Sequence, residues 1–348
     1  MPSKPTIGES SEDALLRRLA PYLAHGRVGS YSITVGDDAA VRGTDGESLV
    51  LTTDSLVENV HFDLAHMDLG DVGYKAMVVN LSDCAAMGAA PDGALVELVV
   101  PLGAAHSDRD VRALYRGFAR ACRRWDFPIV GGNIAGGPCW MVSITLIGCM
   151  PPKTQPLRRT AARPGQSVWV SGPTGLSAAG LAVLRNRTRG AVPRCYNALV
   201  SRHVRPRPQL AFGEALARDP AVACAMDISD GLSVDCARMA RASGVGIVLF
   251  ADTLRATAAV RRLARELDVD PEEWVLHGGE DYELLFTAPP ERDFAGGPHA
   301  AGVRPRCIGE TRAEPPGVFV SRSGVEEPLG VLGWDHLKSV LPSPHQRS

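Results

Sequence analysis

The chain has 348 residues, 45% of them hydrophobic and 22% charged, with a formal net charge of -2. That length and apolar content can supply two cores of ordinary size, and the near-neutral charge excludes a nucleic-acid or membrane surface held by bulk electrostatics. The opening "MPSKPTIGESSED" lacks the basic and apolar parts of a signal peptide, and no apolar run reaches bilayer length, so a cytoplasmic protein is expected.

With 36 glycines and 26 prolines, short elements joined by tight connections are expected. Residues 12–24, "EDALLRRLAPYLA", read as a helix interrupted at Pro21. "SITV" and "SLVLTT" read as strands that run into acidic turns. Residues 69–88 place apolar side chains at helical spacing and stop at Gly88, a C-terminal signal. "ALVELVVPL" reads as a buried strand and "SDRDVRALYRGFARACRRW" as a helix with Ser107 as N-cap. "FPIVGGN" reads as a strand entering a glycine turn, and "WMVSITLIGCM" alternates like a strand.

The proline-rich, basic stretch 151–166 is the candidate linker. It divides an α+β N-terminal domain (1–150) from an α/β C-terminal domain (151–348). In the second half, strands at "SVWVSG", "VACAMDI", "GIVLF" and "YELLFT" alternate with helices at "GLSAAGLAVLRNR", "GLSVDCARMARAS" and residues 256–268. "RHVRPRP" (202–208) reads as an exposed turn, and "PSPHQRS" as a frayed tail. The eight cysteines show no CxxC pair and no zinc spacing, which favours reduced thiols over disulfides or metal.

The placement of the carboxylates is the informative feature. Asp37 and Asp38 sit in "VGDDAAV", Asp54 follows "LTT", Asp83 ends "NLSD", Asp227 and Asp230 bracket "DISDG", and Glu280, Asp281 and Glu283 sit in "HGGEDYE". Any one of them alone reads best as a helix cap or turn acid. As a set they would repel and raise one another's pKa unless cations lay between them. Oxygen-only groups of Asp with Thr hydroxyls suit Mg²⁺, which commonly bridges carboxylates to phosphates. No GxxxxGK[ST], VAIK or HRD pattern occurs, which removes P-loop and protein-kinase architectures. Only four lysines are present against 33 arginines, so metals rather than lysine must handle phosphate charge.

In this order, "VGDDAAV", "LTTDSLVENVHF", "GYKAMVVNLSDCAAMGAAP", "MDISDGLSVD" and "HGGEDYELLFT" resemble the motifs of the thiamine-monophosphate kinase family, within the superfamily of aminoimidazole-ribonucleotide synthetase. The resemblance covers roughly residues 7–340. It implies two α/β domains in an aminoimidazole-ribonucleotide synthetase-like architecture, with a homodimer whose N-terminal sheets form a barrel and share ATP. It implies ATP-dependent phosphorylation of thiamine monophosphate with several Mg²⁺ ions. Carried over by residue, Asp38, Thr52, Thr53, Asp54, Asp83, Asp227 and Asp230 look like metal ligands. Tyr115, Gly132, Asn133, Arg159 and Ser229 look like ATP contacts, and His61, Glu280 and Trp334 like contacts of the thiamine phosphate.

Taken singly, His61 also fits a satisfied core histidine, Arg159 a solvated linker charge, and Trp334 simple packing. Where many members of the family read "GGDT", this chain has "GGNIAGG", so a neutral Asn133 replaces a charged ligand. That substitution keeps open another ATP-using activity of the superfamily, or a non-catalytic nucleotide-binding role.

Overall fold

The computed structural model describes residues 11–23, 30–43, 47–102, 108–186, 192–294 and 303–334. The first part comprises α1 (Ser11–Leu23), β1 (Tyr31–Ile33), β2 (Ala40–Gly43), β3 (Ser48–Val57), α2 (Leu69–Met87), β4 (Ala90–Pro101), α3 (Asp108–Trp125), β5 (Ile129–Gly137) and β6 (Met141–Cys149). The second comprises β7 (Ser167–Val170), α4 (Leu176–Asn186), α5 (Asn197–Val204), α6 (Leu210–Arg218), β8 (Cys224–Asp227) and α7 (Leu232–Ser243). It continues with β9 (Gly246–Phe250), α8 (Ala258–Leu267), α9 (Pro271–His277), β10 (Leu284–Ala288), β11 (Arg306–Arg312), β12 (Gly317–Arg322) and β13 (Val325–Pro328). Ser107 and the tail "PSPHQRS" lie outside the described residues.

Each part builds one mixed sheet. The first has six strands in the order β1-β2-β3-β6-β4-β5, antiparallel except for the β4–β5 pair. The second has seven, β13-β12-β9-β11-β7-β10-β8, antiparallel except for β12–β9. β6 alternates strictly between half-buried and buried residues, the signature of a sheet with one face on the core and one face open.

The core face packs on α2. This helix is buried on nearly all sides: Val72, Met77, Val78, Leu81, Cys84, Ala85 and Met87 have essentially no exposed surface. A helix apolar all round must be enclosed, and α3 and α6 complete the enclosure through glycines. A Cβ on Gly117 would lie 2.1 Å from the Gly70 carbonyl oxygen, one on Gly73 2.1 Å from that of Leu114, and one on Gly213 2.0 Å from that of Ala85. The helix ends as its sequence foretold, with Gly88 left-handed at φ 77. Its polar positions, Lys75, Asn80, Ser82 and Asp83, are therefore held inside the protein rather than on a solvated face.

Two readings are corrected. The "GGNIAGG" run is not a glycine turn, because β5 continues through it in parallel register with β4, Gly132 opposite Val96 and Asn133 opposite Glu97. A Cβ on Gly132 would lie 2.0 Å from the Val96 oxygen, so the glycine permits close strand approach. The stretch 151–166 has no helix or strand, yet it is tied down: the Leu157 amide donates to Met87 and that of Arg158 to Ala223. "RHVRPRP" is not an exposed turn either, since it begins on α5, where His203 is buried and Arg202 pairs with Glu283. Arg202 and Arg205 are anchors between elements, on Glu283 and Asp71 respectively.

No helix among the described residues is long and apolar enough to cross a membrane, and all eight cysteines are free thiols. Replacing Gly117 with Val should force α3 off α2 and cost about 1–3 kcal/mol, as overpacking does. Gly330→Ala, where an added Cβ meets nothing within 4 Å, should be neutral; thermal denaturation compares the two.

Candidate active site

The site is assembled where α2 faces the ends of several strands. Side chains alternate along β3, so Thr52 and Asp54 share one face, and the Thr52 hydroxyl donates to Asp83 Oδ2 on α2 at 2.5 Å. Thr53 points the other way, its hydroxyl donating to the Ile144 carbonyl at 3.0 Å. β8 delivers Asp227, whose Oδ2 accepts from Ser82 of α2 at 2.6 Å.

Beyond β8, the "ISDG" turn is zipped to the "HGGEDYE" segment by backbone hydrogen bonds. Glu280 donates to Ser229 at 2.6 Å, Tyr282 to Ile228 at 2.9 Å, and Ile228 to Glu283 at 2.8 Å. Cβ atoms on Gly231 or Gly279 would come within 2.8 Å of His277 O and 2.7 Å of Ser229 O respectively. The glycines of both motifs are thus required by backbone contact.

Glu280 and Tyr282 have φ of 64° and 53°, an uncommon, locally strained conformation for such residues. The result sends the three acids in different directions. Asp281 accepts from the amides of Gly175 and Ser177 at the start of α4. Glu283 accepts from Ser171 and from Gln209 and pairs with Arg202. Both are structural. Glu280 faces a cavity.

That cavity, about 630 Å³, is lined by Asp38, Thr52, Thr53, Asp54, His61, Asp83, Arg159, Asp227, Ser229, Asp230, Glu280 and Trp334. It also has apolar walls, among them Leu16, Phe62, Met67, Leu181 and Leu184. Tyr115, Gly132 and Asn133 are not among them; they line a separate shallow depression along β5.

The acids are electrostatically crowded. Burial, then Asp54 and Asp227, holds the Asp83 carboxyl well above the ordinary range. Burial, then Asp38, does the same for Asp227. Asp37 is pushed up to about 6 by burial and next by Asp38. Two arginines relieve part of this charge. Arg159 pairs with Asp38, and Arg238 meets Asp230 at 2.5 Å and Asp235 at 3.1 Å. Asp38 Oδ2 stays buried without a hydrogen-bond partner.

The donor set is all oxygen and anionic, which fits a hard cation. Among the described residues, however, no three His, Cys, Asp or Glu side chains already converge on one ion position; Asp38 and Asp230 are each paired with an arginine instead. The His61 ring is fixed through Nδ1, which accepts from the Val57 amide at 3.0 Å. Trp334 is 46% exposed, its amide anchored on the Asp230 carbonyl at 3.1 Å.

Sequence reasoning missed three participants. Arg238 lies a turn into α7, where nothing local marks it. Lys75 meets Glu280 Oε1 at 2.6 Å, and His203 meets Oε2 at 3.3 Å. Burial opposes ionisation of Glu280, but Lys75 and then His203 hold its carboxyl below the ordinary value. His203 itself is held down to about 3, by burial and next by the Lys75 charge. Lys75 carried a signal: a lysine inside an otherwise apolar helix.

Residues 36–150 match the family model described as AIR synthase related protein, N-terminal domain, and residues 163–320 match its C-terminal domain. The thiamine-monophosphate kinase of Salmonella typhimurium is 37% identical over 308 residues, covering 87% of this chain and 91% of the relative. That of Aquifex aeolicus is 37% identical over 264 residues, covering 75% and 82%. A solved structure described as AaThiL complexed with AMPPCP and TMP aligns at a TM-score of 0.81 and 31% identity, over 97% of this chain and 100% of that one. The hydrogenase maturation protein HypE in complex with ATP, 19% identical over 92% and 95% of the two chains with a TM-score of 0.66, shares the fold. Two AIR synthase-type units, joined in one chain with this identity and coverage, leave one assignment: the chain belongs to the thiamine-monophosphate kinase family of the AIR synthase-related proteins.

Proposed function

We propose that this protein transfers the γ-phosphate of ATP to thiamine monophosphate, giving thiamine diphosphate and ADP. One observation carries the reading: in a chain 37% identical to thiamine-monophosphate kinases, the acids of five separate segments meet in one cavity that also has apolar walls. The AaThiL structure holding AMPPCP and TMP supports the same pair of substrates. The acceptor phosphate is already a nucleophile, so no strong general base is required. Its oxygen forms the new bond to the γ-phosphorus while the bond to the β–γ bridging oxygen breaks, and no phosphoenzyme is formed.

The obstacle is repulsion between two anions, roughly 1 kcal/mol for unit charges at ~4 Å in water and several-fold more in a drier site. Asp38, Thr52, Asp54, Asp83, Asp227 and Asp230 would hold Mg²⁺, which when bound neutralises the facing phosphates and stabilises charge on the transferring group; Thr53, whose hydroxyl is turned to Ile144, would join them through its main chain. Arg159 and Ser229 contact ATP; exchanging Asp38 for a phosphate oxygen keeps the arginine's charge paired. His61, Glu280 and Trp334 receive the thiamine moiety, the indole stacking on a flat ring.

Tyr115, Gly132 and Asn133 line a separate depression rather than this cavity. Leu95, Val130 and Ile134 are exposed beside them, at 41%, 58% and 58%. These features support a homodimer in which the open sheet faces close a barrel, and Tyr115, Gly132 and Asn133 of each chain complete ATP binding across it. Asn133 offers a metal one neutral oxygen, which weakens one ion without abolishing turnover. We assign residues 1–150 to the ATP-binding and dimerising domain and 151–348 to the second domain, with the free thiols favouring the cytoplasm.

With ATP and Mg²⁺, thiamine monophosphate should yield thiamine diphosphate and one ADP per turnover, read by chromatography; ADP release indifferent to the acceptor would refute the assignment. Asp54→Ala and Asp83→Ala should each lower kcat by about 100-fold or more while circular dichroism stays native. Asp83→Asn removes buried repulsion, so in metal-free buffer its Tm should rise by roughly 2–4 °C as activity is lost. Val130→Asp with Ile134→Asp should sediment as a monomer; an unchanged mass would place the interface elsewhere.

A further inference from the structure

Burying an ammonium ion is unfavourable unless its partner offsets the desolvation, yet Lys75 is fully buried on α2. Its partner is Glu280, met as an ion pair at 2.6 Å whose angle is poor for a hydrogen bond. The second carboxylate oxygen lies 3.3 Å from His203 Nδ1 of α5, and that nitrogen lies 3.1 Å from Ser177 Oγ of α4. Two elements, α2 and α5, therefore converge on one side chain whose own backbone is left-handed, and α4 braces the histidine through Ser177. Glu280 and His203 line the cavity, whereas Lys75 stands behind them. A bare carboxylate would serve as counter-ion to a cationic ring. One whose charge is cancelled from behind by a buried ammonium serves instead as an aimed hydrogen-bond acceptor.

We propose that Lys75 and His203 are positioning residues which fix Glu280 as a charge-compensated acceptor for an N–H donor on the substrate's heteroaromatic ring. The enzyme then selects an amino-bearing ring, not merely a positively charged one. This inference rests on the thiamine-monophosphate reading above and deepens it.

Calorimetric binding and steady-state kinetics, with thiamine monophosphate and with oxythiamine monophosphate, test it; the latter keeps the cationic ring but carries an oxo group in place of the amine. Lys75→Met should raise both the Kd and the KM for thiamine monophosphate about tenfold, the scale of one charge-assisted hydrogen bond, at unchanged KM for ATP. In a Glu280→Ala background the same substitution should change Kd by less than about twofold, because the two residues act as one unit. Wild type should bind the oxo analogue about tenfold more weakly than the amine, and Glu280→Ala should not distinguish the two.

Should Lys75→Met fail to fold, His203→Gln alone and in the Glu280→Ala background is read against the same expectations. Unchanged or tighter binding in Lys75→Met, the outcome for a bare counter-ion, overturns the proposal, as do additive losses or a matching rise in KM for ATP. A wild type that binds thiamine monophosphate but makes no diphosphate sinks the kinase reading alone. One that neither binds nor reacts overturns both.

Discussion

Carboxylates from the β1–β2 turn, β3, α2 and β8 are brought into one partly buried space, where ionising one raises the cost of ionising the next. Burial and mutual repulsion push Asp83 and Asp227 well above the ordinary range. The fold tolerates this with hydroxyl donors from Thr52 and Ser82 and with two arginines. Such crowding is unfavourable for a protein that needs nothing bound, and favourable for one that must place cations against phosphates. The enclosed α2 is what makes it possible, since it carries Asp83, Ser82 and Lys75 on an element that cannot turn them toward bulk water.

Precision comes from backbone rather than from side-chain bulk. The "SDG" and "GGED" segments lie so close that their glycines leave no space for a Cβ, and hydrogen bonds between main chains fix their register. The left-handed residues Glu280 and Tyr282 let three acids of one short motif do three different things. One lines the cavity, one caps α4, and one clamps α5 and α6. The same economy appears at the helix crossings, where glycines on α2, α3 and α6 bring backbones together and hold the acid-bearing helix still.

Much of the architecture was legible because local rules decided it. The period of α2, its stop at Gly88, the alternation of β6 and the strand end at Asp227 all follow from spacing and turn chemistry, whereas β3 does not turn at Asp54 as its sequence suggested but runs on to Val57 in register with β6. The acids were recognisable as a set because carboxylates that each pass singly as a cap or turn acid would, taken together, repel one another. What misled was also local. Repeated glycines resemble a turn, yet in β5 they admit a neighbouring strand; arginines among prolines resemble a surface, yet Arg202 and the adjacent His203 reach inward.

The sequence by itself determined which residue types would confront phosphate, and that lysine would not be the main means of doing so. It also determined the elements that carry them, since helical and strand periodicity are properties of a short window. Only the tertiary structure decided who faces whom. It gave Asp38 to Arg159 and Asp230 to Arg238, set Lys75 behind Glu280, and put Asn133 in a depression apart from the cavity. Those pairings join residues up to about two hundred positions apart (Lys75 and Glu280 the widest), and a Coulomb interaction depends on distance in space, which no local pattern encodes.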